Sequence, residues 1–480
     1  MNLGLGDGNG IEPGSFRDPS GQIFRRDGRI FRTVMPSAID DFKIVRDSGL
    51  FEKLLADGSL VPFEEVDASV LGDLPAQPAL VLEHPRLPFI SYPYEWPFNA
   101  LKAAALHHLK VHLLALEHGV TMSDASAYNI QFQGGAPVFI DHLSFVPLQE
   151  GGFWKGHRQF CEQFLNPLLL RAYLGIPHNA WYRGNLEGIP TDHLSRLMPF
   201  RRKLLLNVLM HVTLPARFQR NFSDTGSVKE INAATTAKLP IATLRRMLEK
   251  LAKWIERLEP AEGITEWADY AEQNSYNDGA AAMKRDYIKA FVADTKPEMV
   301  WDLGCNTGDY SVAALEAGAD YVVGFDVDQG ALEKGFDRVQ REKLDILPLY
   351  FDAANPAPNQ GWAQEERNGM LERAPADGVL ALALVHHLAI SCNVPVPRIT
   401  EWLTRIGTAG VVEFVPKSDP MVKRLLQLRE DIFPDYTADR FQEALRAHAE
   451  IVDIAEVPNS DRTLIRFRTN SSVNSEANGT

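Results

Sequence analysis

The sequence predicts an α/β chain whose C-terminal half is a doubly wound sheet, preceded by an α+β domain. Three observations carry this. Val300-Trp301-Asp302-Leu303 is a short apolar run that enters a glycine-bearing turn, Gly304-Cys305-Asn306-Thr307-Gly308, and then a helical pattern from Tyr310 to Ala319. Tyr321-Val322-Val323-Gly324-Phe325-Asp326 repeats the design, an apolar strand ending in a carboxylate, at the spacing of a strand-helix-strand unit. Beyond it, apolar runs at Ile346 to Phe351, Val379 to Val385 and Gly410 to Val415, with a helix from Ile399 to Ile406, keep strands and helices alternating. A length of 480 residues exceeds what one hydrophobic core organises, so at least two domains are expected.

From the front, residues 1–20 read as a flexible N-terminus and Gly21 to Arg32 as two short strands joined by an Asp27-Gly28 turn. Helical patterns follow at Ala38 to Ala56 and Pro97 to His118, the second with Leu101, Ala104, Ala105, Leu109, Leu113 and Leu116 along one face. Asp124-Ala125-Ser126-Ala127-Tyr128-Asn129 then places an acid and an amide five apart, ahead of Ile130-Gln131-Phe132, a Gly134-Gly135 turn and Pro137-Val138-Phe139-Ile140-Asp141. A long helical stretch from Phe153 to Leu258 completes residues 21–260 as one α+β domain. Glu259-Pro260-Ala261-Glu262-Gly263 breaks it. Residues 261–290, with Trp267, Tyr270, Tyr276, Lys284 and Tyr287, are expected to link the domains and either to lid the following site or to pack on its sheet. The sheet domain spans 291–468 and closes with Ala449 to Val457 and Thr463 to Arg468. Residues 469–480 are Ser/Asn-rich, with too little apolar content to fold.

The turn at 304–308 restricts the ligand. A dinucleotide fingerprint needs G-x-G-x-x-G, and the second glycine is missing here. A phosphate loop would end in Gly-Lys-Ser/Thr, whereas Gly308 is followed by Asp309, whose charge repels phosphate. A sulfonium nucleoside with an amino-acid tail fits better: carboxylates can receive its ammonium and ribose hydroxyls, while the glycines give its tail room.

From about Phe291 to Phe467 the chain resembles class I S-adenosylmethionine-dependent methyltransferases, which implies a Rossmann-like, seven-stranded sheet and S-adenosyl-L-methionine as cofactor. On that resemblance Asp302, Gly304, Cys305, Asn306 and Gly308 form the first cofactor motif. Asp326, followed by Val327, falls where the family holds the ribose. Asp352, followed by Ala353, falls where a side chain meets the adenine amino group. Cys305 could equally be a small packed side chain. His386 and His387 follow the fourth apolar run and Glu413 interrupts the fifth, which makes these three the candidate catalytic residues. Either histidine could be a base or merely pack, and Glu413 could be a pocket carboxylate or a paired structural one. The NPPY-type signature of adenine-N6 or glutamine methylation is missing from the end of the fourth run.

The front half resembles protein-kinase-like and aminoglycoside-phosphotransferase-like folds. On that resemblance Asp124 would orient a hydroxyl nucleophile, while Asn129 and Asp141 would hold metal. Three departures argue for a degenerate site. Met122 stands where the family has histidine, His142-Leu143 follows Asp141 in place of Phe-Gly, and no glycine-rich loop or strand lysine precedes them. Asp124 and Asn129 could otherwise simply build an Asx-type turn.

A net charge of −14 argues against a chain built to clamp nucleic acid, and Arg201-Arg202-Lys203 is expected to be only a solvated helix face. Cys161, Cys305 and Cys392 are far apart, suit a reducing cytoplasm and offer no cysteine pair with metal spacing, so no metal is expected. No targeting pattern or apolar run of about 18 residues occurs, so neither a leader nor a membrane span is expected. Over its whole length the chain also resembles rhizobial host-specificity nodulation proteins of methyltransferase type, which implies a modified signal or surface glycan.

Three functions remain open. The leading one is methyl transfer to a small-molecule or glycan-type acceptor, with the front domain for recognition. The others are a bifunctional kinase-methyltransferase and a non-catalytic cofactor-binding scaffold. Oligomeric state is not legible.

Overall fold

Apolar runs covered on both faces form the C-terminal sheet, and their burial follows from near-continuous Val, Leu and Phe rather than from alternation. The computed structural model describes residues 10–218, 240–261 and 278–470, apart from 73, 75, 150, 152, 153, 374 and 428. Among the described residues, those within 10–132 and 136–261 group as one compact unit, and those within 133–135 and 278–470 as a second.

In the N-terminal unit, β1 (Gly10–Ile11), β2 (Ile23–Arg26), β3 (Arg29–Val34), β4 (Glu64–Val66) and β5 (Leu80–His84) make an antiparallel sheet in the order β1-β2-β3-β5-β4. Asp27 and Gly28 turn β2 into β3 with φ of 50° and 74°, the double left-handed geometry that a two-residue hairpin requires. The single helix expected from Ala38 to Ala56 is two, Ile39–Asp47 and Leu50–Ala56, because Gly49 at φ 77° reverses the chain between them. The helix Phe98–Glu117 is buried well beyond one face: His107, His108 and His112 are enclosed along with its apolar residues. Short strands follow: β6 (Val120–Met122), β7 (Ile130–Gln133), β8 (Ala136–Phe139) and β9 (Phe145–Pro147). The helical stretch expected to Leu258 is broken into short helices, with π-helical turns at Cys161–Leu165 and Leu209–Thr213, before the amphipathic helix Ile241–Glu256.

The C-terminal unit holds β10 (Met299–Leu303), β11 (Tyr321–Asp326), β12 (Ile346–Tyr350), β13 (Ala376–Ala381), β14 (Gly407–Phe414), β15 (Ala449–Glu456) and β16 (Thr463–Thr469). They form one sheet in the order β12-β11-β10-β13-β14-β16-β15, parallel from β12 to β14, with β16 antiparallel to both its neighbours. Strand order therefore reverses between β10 and β13, and crevices at such a switch collect ligands. The helix Asp278–Thr295 contributes Ala280, Ile288, Phe291 and Val292 to the core with Val300, Val322, Leu380 and Val411. Gly410 lets β14 approach closely: a Cβ there would lie 2.6 Å from the Val379 carbonyl oxygen and 2.7 Å from the Phe467 ring.

Two expectations need correction. The fourth strand stops at Ala381, not Val385, because Ala383 adopts φ 51° and leads the chain into the π-helical turn His387–Ser391. The fifth begins at Gly407, where Ala376 of β13 already pairs with it. Of the residues expected to lid the site, Trp267, Tyr270 and Tyr276 lie outside the described residues, while Lys284 and Tyr287 lie on the helix Asp278–Thr295. Among the described residues no helix is long and apolar enough to cross a membrane.

Candidate active site

Gly304, Asn306 and Gly308 take positive φ, 84°, 50° and 86°, and fold the turn after β10 back on itself. Its amides are satisfied internally. Gly304 and Cys305 donate to the Phe325 carbonyl (2.7 and 3.0 Å), Asn306 to Asp326 Oδ2 (2.8 Å), Thr307 to Asn306 Oδ1 (2.8 Å) and Gly308 to the Cys305 carbonyl (2.9 Å). Asp309 then opens the helix Asp309–Glu316, paired with Arg338 at 2.7 Å, so the positive helix end meets a carboxylate of the protein itself. This arrangement has no cradle for phosphate.

Asp326 ends β11 and Asp352 lies two residues beyond the end of neighbouring β12, the two joined where the Phe351 amide donates to the Asp326 carbonyl at 2.8 Å. Asp326 is half-buried, its oxygens accepting the Asn306 and Asp328 amides at 2.8 and 2.9 Å, and burial pushes its carboxyl above the usual range. Val327 beside it is 55% exposed, an apolar side chain turned to solvent next to an acid. Asp352 is half-buried, as is Ala353, and Asp352 Oδ1 accepts the Ala354 amide at 2.9 Å.

Asp302 and Cys305 lie beneath this edge rather than on it. Asp302 is 1% exposed and accepts the Ser311 hydroxyl at 2.6 Å, and burial drives its carboxyl up to about 7. Cys305 is buried over Gly324, where an added Cβ would lie 3.0 Å from Sγ, and burial raises the thiol far above its usual range. This is the environment of an inert packed thiol. The Asp302 shift carries a prediction. Its folded pKa exceeds the ordinary 3.8, so the native state holds the extra proton, and its contribution, full below pH 3.8, is lost as pH rises through about 7. Melting curves of ligand-free wild type and Asp302→Asn should show wild type losing stability relative to the non-titrating variant as pH rises through that window; parallel profiles would contradict the assignment.

His386 and His387 follow β13 with ring centroids 4.1 Å apart. His386 is 1% exposed and pushed down to about 2, by burial first and then by His387 and Arg462, so it stays neutral. His387 is half-buried, and burial lowers it too. Glu413 is not a pocket carboxylate. It is fully buried within β14, 2.6 Å from Lys284 Nζ and 3.6 Å from Arg462, and it accepts the Ala383 amide at 2.9 Å. Arg462 in turn reaches Asp419 at 2.7 Å. Nothing in the spacing of Lys284, Glu413 and Arg462 indicated this network, since its members come from a helix, a strand and a loop far apart in the chain.

In the N-terminal unit, Asp124, Asn129 and Asp141 lie together. Asn129 Nδ2 donates to Asp124 (3.1 Å) and to Ser144 Oγ (3.0 Å), and that oxygen is 2.8 Å from Asp124 and 2.6 Å from Asp141. A hydroxyl has one proton, so the second short contact needs a proton on a carboxyl. Burial first, and then the charge of Asp141, push the Asp124 carboxyl up to about 6, which brings it nearer to holding that proton. Arg32 sits 2.6 Å from Asp141 and 3.2 Å from Asp18. Arg32 and Ser144 carry no motif, and only the fold brings them to the acids.

No protein-family model matches the chain. It is 45% identical over 455 residues, 95% of this chain and 95% of the relative, to nodulation protein NoeA of Rhizobium meliloti (strain 1021). A segment of 64 residues, 13% of this chain and 22% of the relative, is 39% identical to ribosomal protein L11 methyltransferase of Tolumonas auensis. The solved structure of magnesium protoporphyrin IX methyltransferase (ChlM) from Synechocystis PCC 6803 matches 40% of this chain and 84% of its own at 15% identity, with a TM-score of 0.29. The near full-length relationship, the local methyltransferase similarity and the glycine turn at the head of a seven-stranded sheet converge on one conclusion: the chain is an S-adenosylmethionine-dependent methyltransferase and belongs to the family of nodulation protein NoeA.

Proposed function

We propose that the C-terminal unit binds S-adenosylmethionine along the edge formed by Gly304 to Gly308, Asp326, Val327, Asp352 and Ala353, and methylates a small-molecule or glycan-type acceptor. The observation that carries this is Val327, an exposed apolar side chain directly after the strand-end carboxylate of Asp326. A ribose needs an acceptor pair such as Asp326 Oδ1 and Oδ2, a purine face needs an apolar contact such as Val327, and the adenine amino group needs an acceptor within reach of Asp352. Asn306 and Asp328 hold the Asp326 carboxylate in place with their amides. When bound, the cofactor supplies an electrophilic methyl on a sulfonium. The residues then have to align the acceptor and exclude water.

Of the two histidines, His387 is the candidate base for a hydroxyl acceptor, and neutral, enclosed His386 braces its ring. An amine acceptor would need neither. The experiment is incubation of the protein with isotopically methyl-labelled S-adenosylmethionine and separated small-molecule, glycan, protein and RNA fractions. Label in the first two supports the proposal, and label confined to protein or RNA overturns the acceptor class. His387→Ala should lower turnover by about 10²–10⁴-fold with cofactor affinity unchanged; full turnover would leave positioning as the mechanism.

We further propose that the N-terminal unit is kinase-like in fold, serves recognition or scaffolding, and does not transfer phosphate. Its support is Arg32, whose guanidinium sits on Asp141 as a built-in cation where a metal would otherwise be held. Magnesium-dependent ATP turnover would overturn this and favour a bifunctional enzyme.

A further inference from the structure

His157, Cys161 and His211, all in the N-terminal unit, bring their ligand atoms within 4.8 Å of one another. His157 Nε2 is 3.0 Å from His211 Nδ1 and 3.6 Å from Cys161 Sγ. Around a tetrahedral zinc ion with ordinary bond lengths, two imidazole nitrogens stand about 3.3 Å apart and a nitrogen and a sulfur about 3.6 Å apart. Two of the three edges, both at His157 Nε2, are thus already close to those of that tetrahedron, and the third, between His211 and Cys161, is no longer than 4.8 Å.

Local structure points the same way. His157 and Cys161 are four residues apart, and the helix His157–Phe160 runs directly into the π-helical turn Cys161–Leu165. His211 is the middle residue of another, Leu209–Thr213. Such turns give up regular hydrogen bonding and recur where side chains are aimed at a function. Aromatic rings enclose the cluster: Trp154 lies edge-on to His157 at 5.4 Å and Trp254 stacks on His211 at 6.1 Å, while Cys161 is 1% exposed.

We propose that His157, Cys161 and His211 bind a divalent transition metal ion, zinc foremost, with a fourth position left for water or a small ligand. On binding, the Cys161 S–H bond breaks, sulfur bonds the metal and the proton passes to solvent. The proton shared between the two imidazoles moves to an outer ring nitrogen, so both inner nitrogens become donors to the metal. The set is two imidazoles and a thiolate, which favours zinc or cobalt over magnesium or calcium.

The test is anaerobic titration of the chelator-treated full chain with cobalt(II), followed by zinc competition. One equivalent should produce a sulfur-to-cobalt charge-transfer band and intense tetrahedral visible bands, both erased by zinc. Cys161→Ser should abolish the charge-transfer band, His211→Gln should weaken zinc binding by about 100-fold or more, and Cys392→Ser, which changes the exposed thiol, should alter neither. Absence of the band in the wild-type protein overturns the proposal whether or not either ligand variant folds. So does a band that survives Cys161→Ser or disappears in Cys392→Ser.

Discussion

Glu413→Ala is expected to destabilise the protein by about 3–5 kcal/mol, the cost of leaving a buried charge without its partner. Glu413 is fully buried and its oxygens take the Lys284 ammonium at 2.6 Å and the Ala383 amide at 2.9 Å, with Arg462 at 3.6 Å. Removing it strands Lys284, whose side chain is 3% exposed and whose pKa is already lowered by burial. It also frees the amide that turns the chain out of β13 toward His386 and His387. The double variant Lys284→Met/Glu413→Leu should recover part of the loss, because two apolar side chains leave no unmatched charge. Urea denaturation checks both. A loss below about 1 kcal/mol in Glu413→Ala would show that water or a rearranged Arg462 satisfies the site.

Asp326→Ala is expected to weaken S-adenosylmethionine binding by about 1.5–3 kcal/mol, a 10- to 150-fold rise in Kd, the scale of hydrogen bonds to a charged group. The same substitution removes the acceptor of the Asn306 and Asp328 amides, so part of the effect could reach the turn rather than the ligand. Val327→Ser separates the two contributions. It leaves every Asp326 hydrogen bond in place, and if the exposed valine supports the purine it should cost about 1 kcal/mol of affinity alone. Calorimetry on folded variants is the measurement. Unchanged affinity in Asp326→Ala would move the cofactor off this edge and take the proposed site with it.

Much of the sheet is legible because buried parallel strands write themselves as continuous apolar runs: Tyr321 to Asp326 has the bounds the structure shows, and the run Ile346 to Phe351 exceeds its strand by one residue. The end of the fourth strand is not legible because Leu382, Ala383, Leu384 and Val385 continue the apolar run. The break is the positive φ of Ala383, held by a side chain thirty positions away, and no local propensity reports such a contact. The split at Gly49 was a milder case, since a glycine inside a helical pattern can be tolerated or can end the helix.

For the candidate sites, the sequence by itself determined the order of strands and helices, the glycine turn, the strand-end acids Asp326 and Asp352 and the five-residue spacing of Asp124 and Asn129. All of these are local patterns. The tertiary structure alone decided which acids face outward and which are enclosed. Asp302 and Asp326 have the same strand-end signature, yet one is sealed against Ser311 while the other lies half-exposed beside Val327. It also decided that Glu413 meets Lys284, that Arg32 meets Asp141, and that His211 meets His157 and Cys161. The physical reason is common to all three: a charge or ligand atom is defined by the partners that replace its water, and those partners arrive from distant segments only when the core closes.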